Sequence, residues 1–287
     1  MHVVVSAEFP SRRLRIGRHR LAYDVFGPED APRTLVYLHG LLLDSAINVG
    51  IAEAAASRGV RVVVLDLLGH GRSDHPLHAS DYRMDRYADQ VVALLDHLGL
   101  DRAVLGGVSL GANVALFAAV AAPERVEGLV LEMPVLERAV PAAAAAFAPV
   151  LVATQLAAPL LDAFAWCAGK VPPTGFGPLD SVVRSGARSS ASTAAILHGI
   201  LVGPIAPTME QRASIVAPTL VLAHRNDLIH PFDDAVRLAA VLPNAELLRT
   251  WSSVELRLFP RRIIGRVLDF VDDLPDSPSA SVVEGGA

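Results

Sequence analysis

Absences narrow this sequence first. Cys167 is the one cysteine in 287 residues, which excludes an intrachain disulfide framework and suits a reducing compartment, so the cytoplasm is the expected location. Its apolar setting, "AFAWCAG", predicts a packed core thiol. Of 25 basic side chains only Lys170 is a lysine; beside so much alanine and valine, that bias reads as a GC-rich coding sequence rather than chemistry. Charged residues make up 19% of the chain and the net charge is −5, so nucleic acid is not the expected partner. The opening "MHVVVSAEFPSRRLRIG" lacks the apolar core of a secretory signal. There is no internal repeat and no metal-ligand spacing, so neither a metal nor a cofactor is expected. Histidine is absent after His230, and that gap becomes the central question.

What is abundant is apolar. Hydrophobic residues reach 52%, with a mean hydropathy of +0.41. The longest uncharged stretch, Ala139–Leu161, is long enough to span a bilayer. It is interrupted by Pro141, Pro149 and Pro159 and carries Thr154 and Gln155, which predicts two or three short buried helices and no membrane span.

Two periods alternate along the chain. Leu21–Phe26, Thr34–Leu38, Arg61–Leu65, Ala103–Val108, Gly128–Leu131, Thr219–Ala223 and Ala245–Arg249 are short aliphatic runs, suited to strands covered on both faces. "RLRI" at 13–16 alternates, as the wet face of an edge strand does. Between the runs, Met84, Tyr87, Ala88, Val91, Leu94, Leu95 and Leu98 recur at three- and four-residue steps and end at Gly99. Leu110–Ala122 stops at Pro123, and Pro260 opens an amphipathic helix to Val271. Such alternation predicts an α/β protein with a doubly wound, mostly parallel sheet. The rhythm fails over residues 134–207, rich in Ala, Pro and Gly, which predicts a helical cap inserted into a core of residues 1–133 and 208–273. Residues 274–287, "LPDSPSASVVEGGA", read as a disordered tail.

"GVSLG" at 107–111 follows the strand "AVLGGV" and opens a helix. A serine on so sharp a turn has its hydroxyl exposed, and the helix N-terminus offers free N–H groups and a favourable dipole to a developing oxyanion. The alternative is an ordinary tight turn with a capping serine. The chain resembles the α/β-hydrolase fold family in four ordered stretches. "LVYLHGLLLDS" is similar to its His-Gly segment after the third strand, and "VVVLDLLGHGRSD" to the turn after its fourth. "GVSLG" is similar to its nucleophile elbow, and "TLVLAHRNDLIHP" to the strand and turn bearing its acid. The resemblance covers residues 12 to 273. It implies Ser109 as nucleophile, Asp227 as acid, and the backbone N–H groups of Leu41 and Leu110 as oxyanion hole. Glu132, ending "LVLEMP", is the lesser alternative acid. His39 reads as a loop-shaping residue, and His70, Asp66 and Ser73 as turn residues.

The resemblance also implies a Gly-His pair some eight residues before Pro260. That position reads Ser252-Ser253. An alcohol without a neighbouring base is a poor nucleophile at neutral pH. His230, three residues past Asp227, is the candidate replacement, with a rim or helix-cap histidine as its alternative; His224 and His198 are weaker. The expectation is therefore a hydrolase of esters, thioesters or lactones with Ser109, Asp227 and His230 as an atypical triad. The competing expectation is a lapsed scaffold that only binds a small apolar ligand. Phe147, Leu151, Leu160, Phe164 and Trp166 would either roof a pocket for such an apolar molecule or simply pack the cap on the core. A homo-oligomer is left open.

Overall fold

A computed structural model describes residues 12–275 except 202, 226, 253, 254, 259 and 260. Its strands are β1 (Arg12–Ile16), β2 (His19–Phe26), β3 (Thr34–Leu38), β4 (Arg61–Leu65), β5 (Ala103–Val108), β6 (Val126–Glu132), β7 (Thr219–His224) and β8 (Ala245–Thr250). They form one eight-stranded sheet in the order β1-β2-β4-β3-β5-β6-β7-β8. The pairs involving β2 are antiparallel, and every pair from β4 through β8 is parallel. The doubly wound expectation is met. The two flanking antiparallel strands are its one departure from a fully parallel sheet, and β1 ends the sheet with Arg13 and Arg15 exposed around a buried Leu14.

The strands β3 to β7 are buried on both faces because their alternate side chains enter two different cores. Val36, Leu38, Val63 and Leu65 join one core with helices α2 (Met84–His97), α3 (Leu110–Ala121) and α9 (Phe232–Val241). Leu35, Tyr37, Val62 and Val64 join the other with α1 (Val49–Ala56) and α11 (Arg261–Asp272). A one-residue register slip would exchange these sets, so the apolar runs fix the pairing. Leu274, expected to open the tail, is instead buried in the second core, against Gly128. Residues 276–287 lie outside the described residues.

Between β6 and β7 come α4 (Ala139–Leu156), α5 (Ala158–Ala168), α6 (Gly177–Gly186), α7 (Ser190–Leu201) and α8 (Met209–Ala213). The expectation of several short buried helices over 139–161 is corrected. Two helices do share the stretch, α4 and the start of α5, but α4 runs 18 residues through Pro149 and buries only Ala139 and Thr154. Pro141 sits in the first turn, where no intrahelical donor is needed, and Pro149 removes one further bond without ending the helix. By length and composition this helix is apolar enough to cross a membrane, with 11% of it buried. Cys167 is exposed rather than packed, because α5 turns Leu160, Phe164, Trp166 and Cys167 outward and buries Ala165.

Candidate active site

In a doubly wound sheet the carboxyl ends of the parallel strands meet in a crevice where the winding reverses. Here the chain passes from β3 outward to β4 and then back to β5 on β3's other side, so the reversal lies between β3 and β5. The loop carrying Leu41 follows β3 and Ser109 follows β5. Glu132 ends β6, and Asp227 follows β7. Leu41, Ser109, Glu132 and Asp227 therefore reach the same edge.

Ser109 has φ 53° and ψ −109°, a left-handed backbone that an L-residue adopts at a cost of about 1–3 kcal/mol. Its N–H donates to the Glu132 carbonyl at 2.8 Å and its own carbonyl accepts from Asn113 N–H at 3.1 Å, so strand and helix hold the turn from both sides. The flanking glycines are there for space. A Cβ at Gly107 would come 2.7 Å from the Leu38 carbonyl oxygen, and one at Gly111 would come 2.6 Å from the same atom. Strand β3 and helix α3 thus pack backbone against backbone, which fixes the serine relative to the loop after β3. Neither the Leu41 nor the Leu110 N–H makes a hydrogen bond among the described residues, and both residues border the cavity beside Ser109.

Asp227 and His230 sit in one turn. A single oxygen, Asp227 Oδ1, accepts from Ile229 N–H at 2.8 Å, from His230 N–H at 2.8 Å and from His230 Nδ1 at 2.9 Å. The far ring nitrogen, His230 Nε2, lies 2.9 Å from Ser109 Oγ. The short side chain capping its own following backbone is a local arrangement. It folds the imidazole back over the turn, with one ring nitrogen on the carboxylate and the other pointing away. Three residues of separation is therefore enough for His230 to meet both partners. Burial alone would raise the Asp227 carboxyl; the His230 ring and the two backbone N–H groups outweigh it and hold it at about 2. An ionised carboxylate only accepts, so Nδ1 carries the ring proton and Nε2 is left to accept from the serine hydroxyl.

The other sequence candidates lie elsewhere. His39 is fully buried, accepts from Leu67 N–H at 3.1 Å and faces the Gly40 carbonyl at 2.9 Å; burial lowers its pKa. His70 is buried against the Leu68 carbonyl. Asp66 accepts from Ser45 N–H at 2.7 Å and Arg72 N–H at 3.0 Å, while Ser73 caps the Asp66 carbonyl. His198 is exposed. Ser252 accepts from Glu255 N–H through its carbonyl, and Ser253 lies outside the described residues.

Glu132 has a different environment from the one expected of an acid. It is fully buried, with Tyr37 O–H donating at 3.0 Å, His224 Nε2 at 3.1 Å and an ion pair to Arg257. His224 in turn meets Thr250. Burial pushes the Glu132 carboxyl up, and the Arg257 guanidinium followed by the His224 contact bring it down to about 2. Arg257 and Asn113 are the polar residues at the site that sequence reading overlooked. Nothing in "VELRLF" distinguishes Arg257 from a solvated helix arginine.

The cavity above Ser109 measures about 520 Å³. Phe147 and Leu151 of α4 line it, as do Leu197 and Ile200 of α7. Leu160, Phe164 and Trp166, expected from the sequence to roof it or to pack inward, are instead exposed. Asn113 Nδ2 donates to the carbonyls of Val135 at 2.7 Å and Ile205 at 2.8 Å, and its Oδ1 accepts from Val135 N–H. One side chain thereby ties both roots of the helical segment to the helix that begins at the serine.

The chain belongs to the alpha/beta hydrolase fold family, whose model matches residues 33–250. Among curated proteins it is 34% identical over 146 residues to a haloalkane dehalogenase of Mycolicibacterium paratuberculosis, covering 48% of each chain. It is 38% identical over 111 residues to the carboxylesterase YbfK of Bacillus subtilis, covering 38% of this chain and 36% of that one. The chain thus spans about half or less of the length of these relatives. Among solved structures, Est816, an N-acyl homoserine lactone degrading enzyme, superposes with a TM-score of 0.70 at 25% identity, covering 90% of this chain and 100% of that one.

Proposed function

We propose that this protein is a serine hydrolase of small apolar carboxylic esters, thioesters or lactones, with Ser109 as nucleophile, His230 as base and Asp227 as the acid that orients it. The observation that carries this reading is the continuous chain from Asp227 through His230 to Ser109, with 2.9 Å at each of the two links. That spacing is within reach for proton transfer. In the proposed cycle Ser109 Oγ attacks the acyl carbon as its proton passes to His230 Nε2. The carbonyl π electrons move onto oxygen, where the N–H groups of Leu41 and Leu110 stabilise the charge. Collapse of the tetrahedral adduct breaks the bond to the leaving group, which takes the proton from His230. A water molecule then repeats the sequence on the acyl-serine, delivering the acid and restoring the serine.

The cavity's aliphatic walls favour an apolar acyl chain, and both the carboxylesterase relative and the lactone-degrading neighbour act on acyl compounds by their names. The same hydrogen-bonded chain supports turnover over a scaffold that only binds its ligand, because that alternative rested on the lack of a base. A fluorophosphonate probe should label wild-type protein at Ser109, and Ser109→Ala should abolish both labelling and hydrolysis of short p-nitrophenyl esters. Ester hydrolysis that persists in Ser109→Ala, or a panel of esters and lactones with no serine-dependent turnover, would refute the assignment.

A further inference from the structure

The acyl-transfer scheme leaves one cation without a task. Arg188 lies in the helical segment, between α6 and α7, and makes no ion pair among the described residues. Burial disfavours its charge and pulls its pKa down. Its side-chain hydrogen bonds among the described residues both end on backbone oxygens of the core. Nη2 donates to the Leu42 carbonyl and Nε to the Gly69 carbonyl, each at 3.1 Å. Gly69 is fixed in turn, its N–H donating to the Asp74 carbonyl at 2.9 Å. The guanidinium therefore braces Leu42 against the loop after β4.

Leu42 is a residue that needs a brace. Leu43 N–H donates to the Gly40 carbonyl at 3.1 Å, which closes a turn with Leu41 and Leu42 at its centre. Leu42 has φ 62°, and a second central turn position with positive φ ordinarily belongs to glycine. A leucine there is strained and persists only where its surroundings over-determine it. The turn's own bond leaves the Leu41 N–H unused, the group proposed above to stabilise the oxyanion. Beyond the turn, Asp44 is held by the same helical segment: its N–H donates to Ser181 Oγ at 2.9 Å and its carboxylate pairs with Arg184 at 2.6 Å. Gly40 stands two residues past β3. With both ends of the turn held, a change of φ at Leu42 falls on Leu41.

We infer that Arg188 is a positioning residue: by holding Leu42 left-handed it keeps the Leu41 N–H in register with Ser109, so that the helical segment completes the oxyanion hole. The catalytic consequence rests on the hydrolytic reading, whereas the structural one is testable without it. Arg188→Met keeps the length of the side chain and removes both donors. A crystal structure of that variant should show Leu42 outside the left-handed region. A φ still near 62° there would overturn the inference whether or not the protein hydrolyses anything. With p-nitrophenyl esters, Arg188→Met should lower kcat about a hundredfold, as loss of one oxyanion donor does, and leave KM within about twofold. A trifluoromethyl ketone, whose adduct with Ser109 carries an oxyanion, should lose affinity by about the same factor. Glycine adopts positive φ freely, so adding Leu42→Gly to Arg188→Met should recover most of the lost kcat. An unchanged kcat in Arg188→Met, a loss confined to KM, or no recovery from the added glycine would each overturn the inference. Absence of Ser109-dependent turnover in wild type would instead end the hydrolytic reading, and the Leu42 conformation in Arg188→Met would still decide this one.

Discussion

At the scale of single residues the decisive feature is that one carboxylate oxygen does three jobs. Asp227 Oδ1 caps two backbone N–H groups and receives the His230 ring, so the turn's geometry and the base's tautomer have a common origin. His230→Ala should lower kcat on the order of a millionfold, to the level of Ser109→Ala, as loss of the histidine does in a serine protease of another fold. Combining His230→Ala with Ser109→Ala should add almost nothing further. A His230→Ala protein retaining a tenth of wild-type kcat would assign the base to another group. Asp227→Asn should reduce kcat by a smaller factor, on the order of ten-thousandfold, because an amide places the wrong hydrogen-bonding partner against Nδ1. Much of this was legible in the sequence: the serine on a strand-to-helix turn at 107–111 follows from context, and Asp227 as candidate acid from the resemblance to the family. What spacing could not settle was whether an imidazole three residues from its acid could also reach the serine. That depends on the turn closing on its own side chain, a three-dimensional fact.

At the scale of elements, the helical segment between β6 and β7 depends on Asn113. Asn113→Ala would strip partners from the Val135 N–H and from the carbonyls of Val135 and Ile205. The expected loss is about 2–4 kcal/mol, at 1–3 for each buried group left unpaired with some relief from water. Hydrogen exchange should quicken at residues 135–140 and 203–206 while β3 and β5 stay protected. Uniform protection, or a change spread evenly over the chain, would contradict this anchoring. A second set of contacts joins the segment to the loop bearing Leu41: Arg184 pairs with Asp44 at 2.6 Å and Arg188 donates to the carbonyls of Leu42 and Gly69, each at 3.1 Å. The central strands β3 to β7 were legible almost to the residue, since each is an aliphatic run with two buried faces. The segment between β6 and β7 was legible as a helical insertion, but not which faces its helices bury. Apolar residues on α4 and α5 carry no signal for which side faces the cavity, and the outward stripe of α5 went unrecognised for that reason.

For the molecule as a whole, the buried carboxylate of Glu132 couples stability to acid. Glu132 is ionised in the fold down to about 2, whereas an unperturbed glutamate titrates near 4.3. A depressed folded value means that the unfolded chain takes up the proton first. The contribution is complete above about pH 4.3 and fades as pH falls towards about 2. Glu132→Gln should therefore lower Tm at about pH 7, where Arg257 loses its counter-charge. It should also reduce the further fall in Tm between about pH 7 and about pH 3 relative to wild type. Parallel Tm–pH curves for the two proteins, recorded by circular dichroism, would show that Glu132 does not couple protonation to unfolding.

Placing the proposed acid and base on one short turn also alters what the rest of the architecture must do. In an arrangement with the imidazole after the last strand, β7 and β8 would have to keep a fixed mutual position for the two groups to meet. With Asp227 and His230 only three residues apart, their alignment survives any small sliding of β8, and sequence drift beyond Thr250 is relieved of that geometric duty. The C-terminal end of the sheet is thereby free to change length and composition.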